Sequence, residues 1–181
     1  MTEPQDEYIL SLIKEDNTRE KGLTLLINKY KERIYWHIRR LVVSHEDAQD
    51  VMQETFLNVY RFIDTFGQES KLYTWLYRVA TNECIKLFRK RKHIFTSYDE
   101  ISDQLINKLY YNTADEGDKI VVKFQEAILR LPEKQRFVFN LRYYDELNYD
   151  EISKILNMSA GSAKTNYHYA AEKVKEYMLN R

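Results

Sequence analysis

The sequence is poor in the residues that interrupt regular structure. Its 181 residues include four glycines and two prolines, far below the roughly 12% that average usage gives for the two together. β-Sandwiches and barrels need many tight turns, which these residues commonly supply, so their scarcity argues against an all-β fold. The composition therefore favours a helical protein.

Cysteine and long apolar runs are scarce as well. Cys84 is the only cysteine, which excludes an intrachain disulfide and a cysteine-rich zinc site and points to a reducing compartment. No apolar run approaches the roughly 18 residues of a membrane span, and the acidic start, MTEPQDEY, lacks the apolar core of a signal peptide. We therefore expect a soluble, cytoplasmic protein.

The motifs of common catalytic and metal sites are missing. The sequence has no glycine-rich phosphate loop, no Gly-x-Ser-x-Gly and no Cys/His cluster with ligand spacing. His45, Glu46 and Asp50 lie close together, but their spacing is not His-Glu-x-x-His, and we interpret them as helix-start and surface charges. We predict a protein that is not an enzyme, with no catalytic residue, metal, cofactor or small-molecule substrate.

The charge is balanced overall but not locally. Lys and Arg number 28 and Asp and Glu number 28, for a formal net charge of zero, which by itself disfavours a nucleic-acid partner. The segments, however, carry −4 (1–20), +6 (21–95), −4 (96–119) and +2 (120–181). Such asymmetry is more informative than the total. We predict an acidic N-terminal segment, a helical domain, an acidic linker and a second helical domain with these boundaries.

Apolar residues recur at three- and four-residue steps, which predicts helices in both domains. A stripe from Leu23 to Leu41 marks the first helix, Ser44 is a candidate N-cap of the second, and the third covers about 72–92. The second helix has a predicted inner face of Ala48, Val51, Met52, Thr55, Val59, Phe62 and Ile63. Further helices are predicted near 120–130, 133–143, 149–156 and 160–178, and no convincing alternating strand is found.

The outer face of the second helix combines polar and apolar residues. Opposite its apolar stripe lie Asp50, Gln53, Glu54 and Leu57. Carboxylates and an amide around an exposed leucine are typical of a docking surface for a basic, partly apolar helix. Scattered exposed leucines are common, so an ordinary charged face is the alternative.

The third helix carries a narrow basic ridge formed by Arg78, Asn82, Lys86 and Arg89, and five of residues 86–92 are Lys or Arg. Such a ridge neutralises phosphates, and the nearby rings of Tyr73, Trp75 and Tyr77 suit unpaired bases, so we favour nucleic acid here. The alternative is that the basic end caps the helix and the rings are core, which we expect first for Trp75. The helix is apolar on a second side as well, at Tyr77, Cys84, Ile85 and Phe88.

The second domain ends in a pattern typical of a helix-turn-helix. NYDEISKIL is a short helix, Asn157 suits the left-handed turn that follows, and Ser159 is a candidate N-cap of the last helix. The outer face of that helix holds Ser162, Lys164, Thr165, His168 and Tyr169, a short-polar, basic and aromatic set that suits the major groove. A plain helical hairpin is the alternative. The predicted fold class is all-α, with two small helical domains joined by an acidic linker and a terminal helix-turn-helix.

These motifs together resemble an extracytoplasmic-function (group 4) sigma factor of the bacterial sigma-70 family. DAQDVMQETFLNVY at 47–60 resembles region 2.2, TWLYRVATNECIKLFRKRK at 74–92 resembles regions 2.3 and 2.4, and the stretch from LPEKQRF to KVKEYM at 131–178 resembles region 4. The resemblance covers about 10–178 and includes nothing like regions 1.1 or 3. It implies a promoter-specificity subunit that directs core RNA polymerase to promoters and helps to melt them.

The resemblance also implies roles for individual residues. Region 2.2 docks on the β′ clamp helices, which implies polymerase binding by Asp50, Gln53, Glu54 and Leu57. Regions 2.3 and 2.4 read and open the −10 element, which implies DNA contacts by Gly67, Gln68, Ser70 and Lys71, in a turn for an extruded base, and by Arg78, Asn82, Lys86, Arg89 and Lys90. Region 4 binds the −35 element and the β flap, which implies DNA contacts by Ser159, Ser162, Lys164, Thr165, His168 and Tyr169.

The family further implies that the linker threads toward the RNA exit path and that an anti-sigma factor holds the protein inactive. Two departures stand out, since members often carry arginines where this chain has Asn166, Tyr169 and Ala171, and an acid where it has Lys86. The main alternative function is a helix-turn-helix transcription regulator that does not replace sigma. A helical adaptor with no DNA role is the third.

Overall fold

The computed structural model describes residues 4–92, 98–111 and 119–180. In these ranges the chain forms nine α-helices and a 3-10 turn at Ile63–Thr65, and no strand is present there, so the predicted all-α class is confirmed. The helices are α1 (Asp6–Lys14), α2 (Arg19–Val42), α3 (His45–Phe62), α4 (Leu72–Lys92), α5 (Tyr98–Tyr111), α6 (Lys119–Leu129), α7 (Glu133–Tyr143), α8 (Tyr149–Leu156) and α9 (Ala160–Leu179).

Parts of all four predicted segments lie outside the described residues. These are residues 1–3 of the N-terminal segment, 93–95 of the first domain, 96–97 and 112–118 of the linker and 181 of the second domain, together with the side chain of Lys92 in the basic tract. None of the helices in the described ranges combines the length and the apolar content that crossing a membrane requires.

Side-chain caps begin three of the helices where the sequence predicts or permits them. The Ser44 hydroxyl accepts the Asp47 N–H at the start of α3, and the Ser159 hydroxyl accepts the Ser162 N–H at the start of α9. Asn148 forms a reciprocal capping box with Glu151 at the start of α8. These caps satisfy amide groups that a helix start leaves without an intrahelical partner.

The acidic N-terminal segment contains a helix that the charge pattern did not reveal. Ile9 and Ile13 of α1 are buried against α2, where Gly22 permits the two backbones to approach closely. The Asp6 carboxylate accepts hydrogen bonds from Lys29 and from the Tyr30 hydroxyl. The segment is therefore part of the same core as α2.

A helix also occupies part of the linker. Leu105 and Ile106 of α5 are buried, and Lys108 lies 3.0 Å from the Asp47 carboxylate. Arg91 shares this carboxylate at 2.6 Å. Partial burial opposes ionisation of Asp47, but these two cations outweigh it and lower its pKa. The linker helix is thus attached to the start of α3.

The two helical units pack against each other through α4. On its second apolar side, Tyr77 and Phe88 face the second unit, whereas Ile85 lines a groove beside α3. One continuous core includes Leu76 and Phe88 as well as Leu141 and Ile152. The Phe88 ring meets the Phe137 ring edge-on at 6.2 Å. α9 packs on α7 and α8. A second, smaller core lies among α6, α7 and α9.

Candidate polymerase and promoter interfaces

The predicted docking face of α3 is exposed along its whole length. The apolar positions Ala48, Val51 and Val59 turn inward, which leaves Asp50, Gln53, Glu54 and Leu57 on the solvent side. Within the three described ranges, no hydrogen bond or ion pair involves the polar members of this set. The face is therefore free to bind another molecule.

The apolar part of this face is larger than the sequence predicted. Leu57 is 41% exposed, and Tyr60, three positions later, is 58% exposed. The helical spacing of three places both side chains on neighbouring positions of one face. That spacing was the signal that sequence reasoning missed for Tyr60.

The predicted inner face of α3 is wrong at one position. Phe62 is 52% exposed, whereas Ile63 is buried. The α-helix tightens into a 3-10 turn after Phe62, which changes the angular step and lets Ile63 take the inward position. Phe62 then faces a groove beside α4.

The basic ridge of α4 is solvent-exposed at Arg78, Asn82, Lys86, Arg89 and Lys90. Lys86 is not a free charge, because its ammonium lies 2.6 Å from the Glu83 carboxylate. Arg91, which also belongs to the basic tract, points the other way to Asp47. The tract is therefore divided between an outward ridge and an internal ion pair.

A groove of about 320 Å³ runs between α3 and α4 next to this ridge. Its lining combines the Phe62 ring with Asn82, Lys86 and Arg89. An aromatic ring beside cations is the combination that holds unpaired bases and their phosphates.

The turn between α3 and α4 contains the predicted −10 residues Gly67, Gln68, Ser70 and Lys71. Gln68 adopts a positive φ of 57°, and Gly67 and Gln68 border a hollow of about 260 Å³ that α1 closes with Leu10 and Lys14. A bidentate pair between Arg19 and Asp64 holds the start of this turn against the α1–α2 junction. The N-terminal helix thereby contributes to the candidate site.

The aromatic residues Tyr73, Trp75 and Tyr77 of α4 each contact other parts of the protein. Tyr77 is fully buried, and burial raises the pKa of its hydroxyl well above the usual range. Trp75 packs on Phe66 and on the core, as expected for a core residue. The Tyr73 hydroxyl donates to Glu151 of α8. Tyr73 and Trp75 are half-buried, so a stacking role for these two rings stays a prediction, whereas Tyr77 is a core residue.

The helix-turn-helix of the second unit has the predicted geometry. Asn157 is left-handed, with φ 51°, between α8 and α9, and Ala163, Ala170 and Val174 turn inward. Ser162, Lys164, Thr165, His168 and Tyr169 are exposed on the opposite side. The Ser159 hydroxyl is used as the N-cap, and the Asn166 amide donates to the Ser162 carbonyl at 2.9 Å.

No group of three or more His, Cys, Asp or Glu side chains in the described part of the chain is arranged to hold a metal ion. Cys84 is fully buried, and burial raises the pKa of its thiol. The geometry defines three exposed faces, on α3, α4 and α9, of the kind that binds macromolecules.

Comparison with known proteins identifies the class. The family described as Sigma-70 region 2 matches residues 26–94, and the family described as Sigma-70, region 4 matches residues 122–174. The chain belongs to the sigma-70 family and is an RNA polymerase sigma factor. Sigma factors bind core RNA polymerase and promoter DNA.

Within this family the chain is similar to extracytoplasmic-function members. It is 34% identical to the ECF RNA polymerase sigma factor SigW of Bacillus subtilis, over 84% of this chain and 87% of that protein. It is 26% identical to the RNA polymerase sigma-H factor of Pseudomonas aeruginosa, over 96% and 94% of the two chains. The predicted family and function are confirmed.

Solved structures share the fold. CnrH in complex with the cytosolic domain of CnrY matches with a TM-score of 0.69 at 15% identity, over 94% of this chain and 95% of that one. The sigma factor RpoE of Bartonella quintana, in complex with the anti-sigma factor NepR, matches with a TM-score of 0.69 at 19% identity, over 89% and 99%. The roles of the individual residues stay predictions.

Proposed function

We propose that this sigma factor binds core RNA polymerase through α3 and contacts the −10 and −35 elements through α4 and α9, in the cytoplasm and without catalysis of its own. The observation that carries the proposal is that two adjacent helices, α3 and α4, expose surfaces of opposite charge. The acidic and apolar face of α3 and the basic ridge of α4 rise from one core and are exposed at the same time.

On α3, Asp50 and Glu54 supply charge for a basic partner helix, and Leu57 and Tyr60 supply the apolar centre. An interface with an apolar centre and a polar rim gains its affinity mainly from the buried centre. Asp50, Gln53 and Glu54 form no hydrogen bond or ion pair in the described residues, so their binding to the β′ clamp helices would break none.

On α4, Arg78 and Arg89 contact the backbone of the −10 strand, and Asn82 is placed to donate to a base. The groove beside Phe62 accepts one unpaired base of the opened strand, and the hollow at Gly67 and Gln68 accepts the extruded base. Both cavities adjoin exposed cations, which matches the electrostatic requirement of single-stranded DNA.

On α9, Lys164 contacts a −35 phosphate while Thr165, His168 and Tyr169 reach into the major groove. The positive end of the α9 dipole favours a second phosphate near the exposed Ser159. The β flap contacts the region 4 unit (α6–α9), and the linker between it and the region 2 unit (α1–α4) follows the RNA exit path. We further propose an anti-sigma partner, because both structural neighbours are complexes and one of them is with a protein named as an anti-sigma factor.

Run-off transcription tests the proposal. The purified chain is combined with core polymerase and a promoter found by sequencing transcripts after overexpression. We expect transcripts with this chain as the only sigma factor. A regulator that does not replace sigma would give transcripts only when a second sigma factor is present, and that result would overturn the proposal.

A further inference from the structure

A buried carboxylate joins the two helical units. Asp145 follows α7 in the region 4 unit, and only 4% of its side chain is exposed. Among the described residues, its three donors come from α2 and α4 of the region 2 unit. The Arg40 guanidinium lies 2.8 Å away, the His37 Nδ1 3.0 Å and the Tyr77 hydroxyl 3.1 Å.

The donors are held in place by further contacts. His37 Nε2 lies 2.9 Å from the Thr81 hydroxyl, and the Arg40 guanidinium stacks on the Tyr144 ring at 4.6 Å. Losing one partner of such a buried cluster leaves the remaining charge without compensation. The cluster therefore depends on both units being together.

The same contact brings the helix-turn-helix against the candidate −10 turn. Glu151 of α8 lies 3.5 Å from the Lys71 ammonium, and the Lys154 ammonium donates to the Glu69 carbonyl at 3.1 Å. Partial burial works against ionisation of Glu151, but its hydrogen bonds outweigh it and lower the pKa. A predicted DNA contact, Lys71, is thus engaged by the other DNA-binding unit.

This arrangement is too compact for a promoter. Lys154 lies five residues before Ser159, the cap of α9, so the start of α9 is within about 18 Å of Lys154 along the chain. The −10 and −35 elements are named for positions about 25 base pairs apart, which is roughly 85 Å of duplex at 3.4 Å per base pair. The two units must separate before both elements are bound.

We propose that Asp145 is the clasp that holds the free sigma factor closed, and that its bonds to His37, Arg40 and Tyr77 break when core polymerase binds. The need to open for a promoter rests on the proposed function. The clasp itself is a property of the free chain. The test of the clasp does not depend on transcription, so a failure of the clasp is distinguishable from a failure of the proposed function.

Carbodiimide cross-linking of the full-length free chain measures closure directly. The reagent joins an amine to a carboxylate that touches it, and peptide mass spectrometry quantifies the product. Lys71–Glu151 reports contact between the units. Lys29–Asp6, at 2.8 Å within the region 2 unit, is the internal reference. The measured quantity is the ratio of the first product to the second.

We expect Asp145→Asn to lower this ratio about tenfold, and the exposed matched control Asp150→Asn to change it by less than about twofold. Arg40→Gln removes a donor from the region 2 unit, and Arg39→Gln is its control. If Asp145→Asn reduces helix content, the ratio measured for Arg40→Gln is used instead. Adding core polymerase to the unmodified chain lowers the ratio as well. A ratio that stays unchanged in well-folded Asp145→Asn, in Arg40→Gln or in the presence of polymerase overturns the clasp.

Discussion

Arg40 of α2 and Asp145, 105 residues further along the chain, form a 2.8 Å ion pair across the junction of the two helical units. Arg91 with Asp47 and Arg19 with Asp64 are further pairs between distant segments. Part of the alternating charge therefore connects elements of the fold. On the outer ridge of α4, Arg78, Arg89 and Lys90 form no ion pair within the described residues.

The Asp145 cluster predicts a specific pH dependence. Burial opposes ionisation of Asp145, but its bonds to His37 and Arg40 outweigh burial and lower its pKa in the folded protein. Because the pKa of Asp145 is lower in the folded than in the unfolded protein, its carboxylate stabilises the fold at pH values above the unfolded pKa. That stability is lost as the pH falls through the folded pKa. We expect Asp145→Asn to lower the free energy of unfolding by about 3 kcal/mol between pH 5 and 8, with a smaller difference below about pH 4.

Urea unfolding followed by circular dichroism measures this difference at each pH. The control is Asp150→Asn, whose carboxylate is exposed. A difference between the wild type and Asp145→Asn that grows as the pH falls from 5 to 3 would contradict the assignment.

The docking face of α3 predicts a separable defect. We expect Asp50→Ala with Glu54→Ala to weaken binding to core polymerase about tenfold or more, because both carboxylates border the apolar centre of the face. Helix content stays unchanged, since both side chains are exposed. Fluorescence anisotropy of the labelled sigma factor measures the affinity.

The control is Glu172→Ala with Glu176→Ala, two exposed acids on α9 with the same spacing. Equal affinities of the two double variants would remove the proposed role of the α3 face.

The outer face of α9 predicts a change in salt dependence. If Lys164 contacts one phosphate, Lys164→Ala weakens promoter binding by the holoenzyme and reduces the slope of log K against log salt by about 1. Lys175→Ala, near the other end of the same helix, leaves the slope unchanged. A slope that is the same for Lys164→Ala and the wild type would show that Lys164 is only a solvated charge.

The contact between α1 and α2 predicts opposite effects for two glycines. A Cβ at Gly22 would lie 2.7 Å from the Ile13 side chain and 2.9 Å from its backbone nitrogen, so we expect Gly22→Ala to lower the free energy of unfolding by about 1–3 kcal/mol. A Cβ at Gly161 meets its nearest atom only at 4.0 Å. Gly161→Ala is therefore expected to raise stability by up to about 1 kcal/mol through helix propensity. Thermal unfolding of the two variants tests the contact, and equal or reversed effects would contradict it.

Local signals explain why much of the fold was predictable. Pro132, Asn148, Asn157 and Ser159 mark the ends of α7, α8 and α9, so these helices begin and end close to their predicted positions. The outward faces of α3, α4 and α9 follow from helical periodicity alone. The charge difference between segments located the basic ridge.

Contacts between distant segments explain what was not predictable. The helix α1 is short and acidic, and its burial depends on the notch at Gly22. Phe62 faces outward because of a 3-10 turn that no local pattern marks. Tyr77 points to the second helical unit, and no local sequence signal predicts that this unit packs on α4.

Opening of promoter DNA by the holoenzyme tests the central claim most directly. Permanganate reactivity of unpaired thymines in the −10 element is compared for the wild type, for Arg78→Ala with Arg89→Ala, and for the control Lys173→Ala with Lys175→Ala, at saturating sigma factor. We expect the α4 double variant to bind core polymerase normally but to lower thymine reactivity about tenfold or more, while the control opens DNA like the wild type. Full opening by the α4 double variant would contradict the assignment of the −10 element to this ridge.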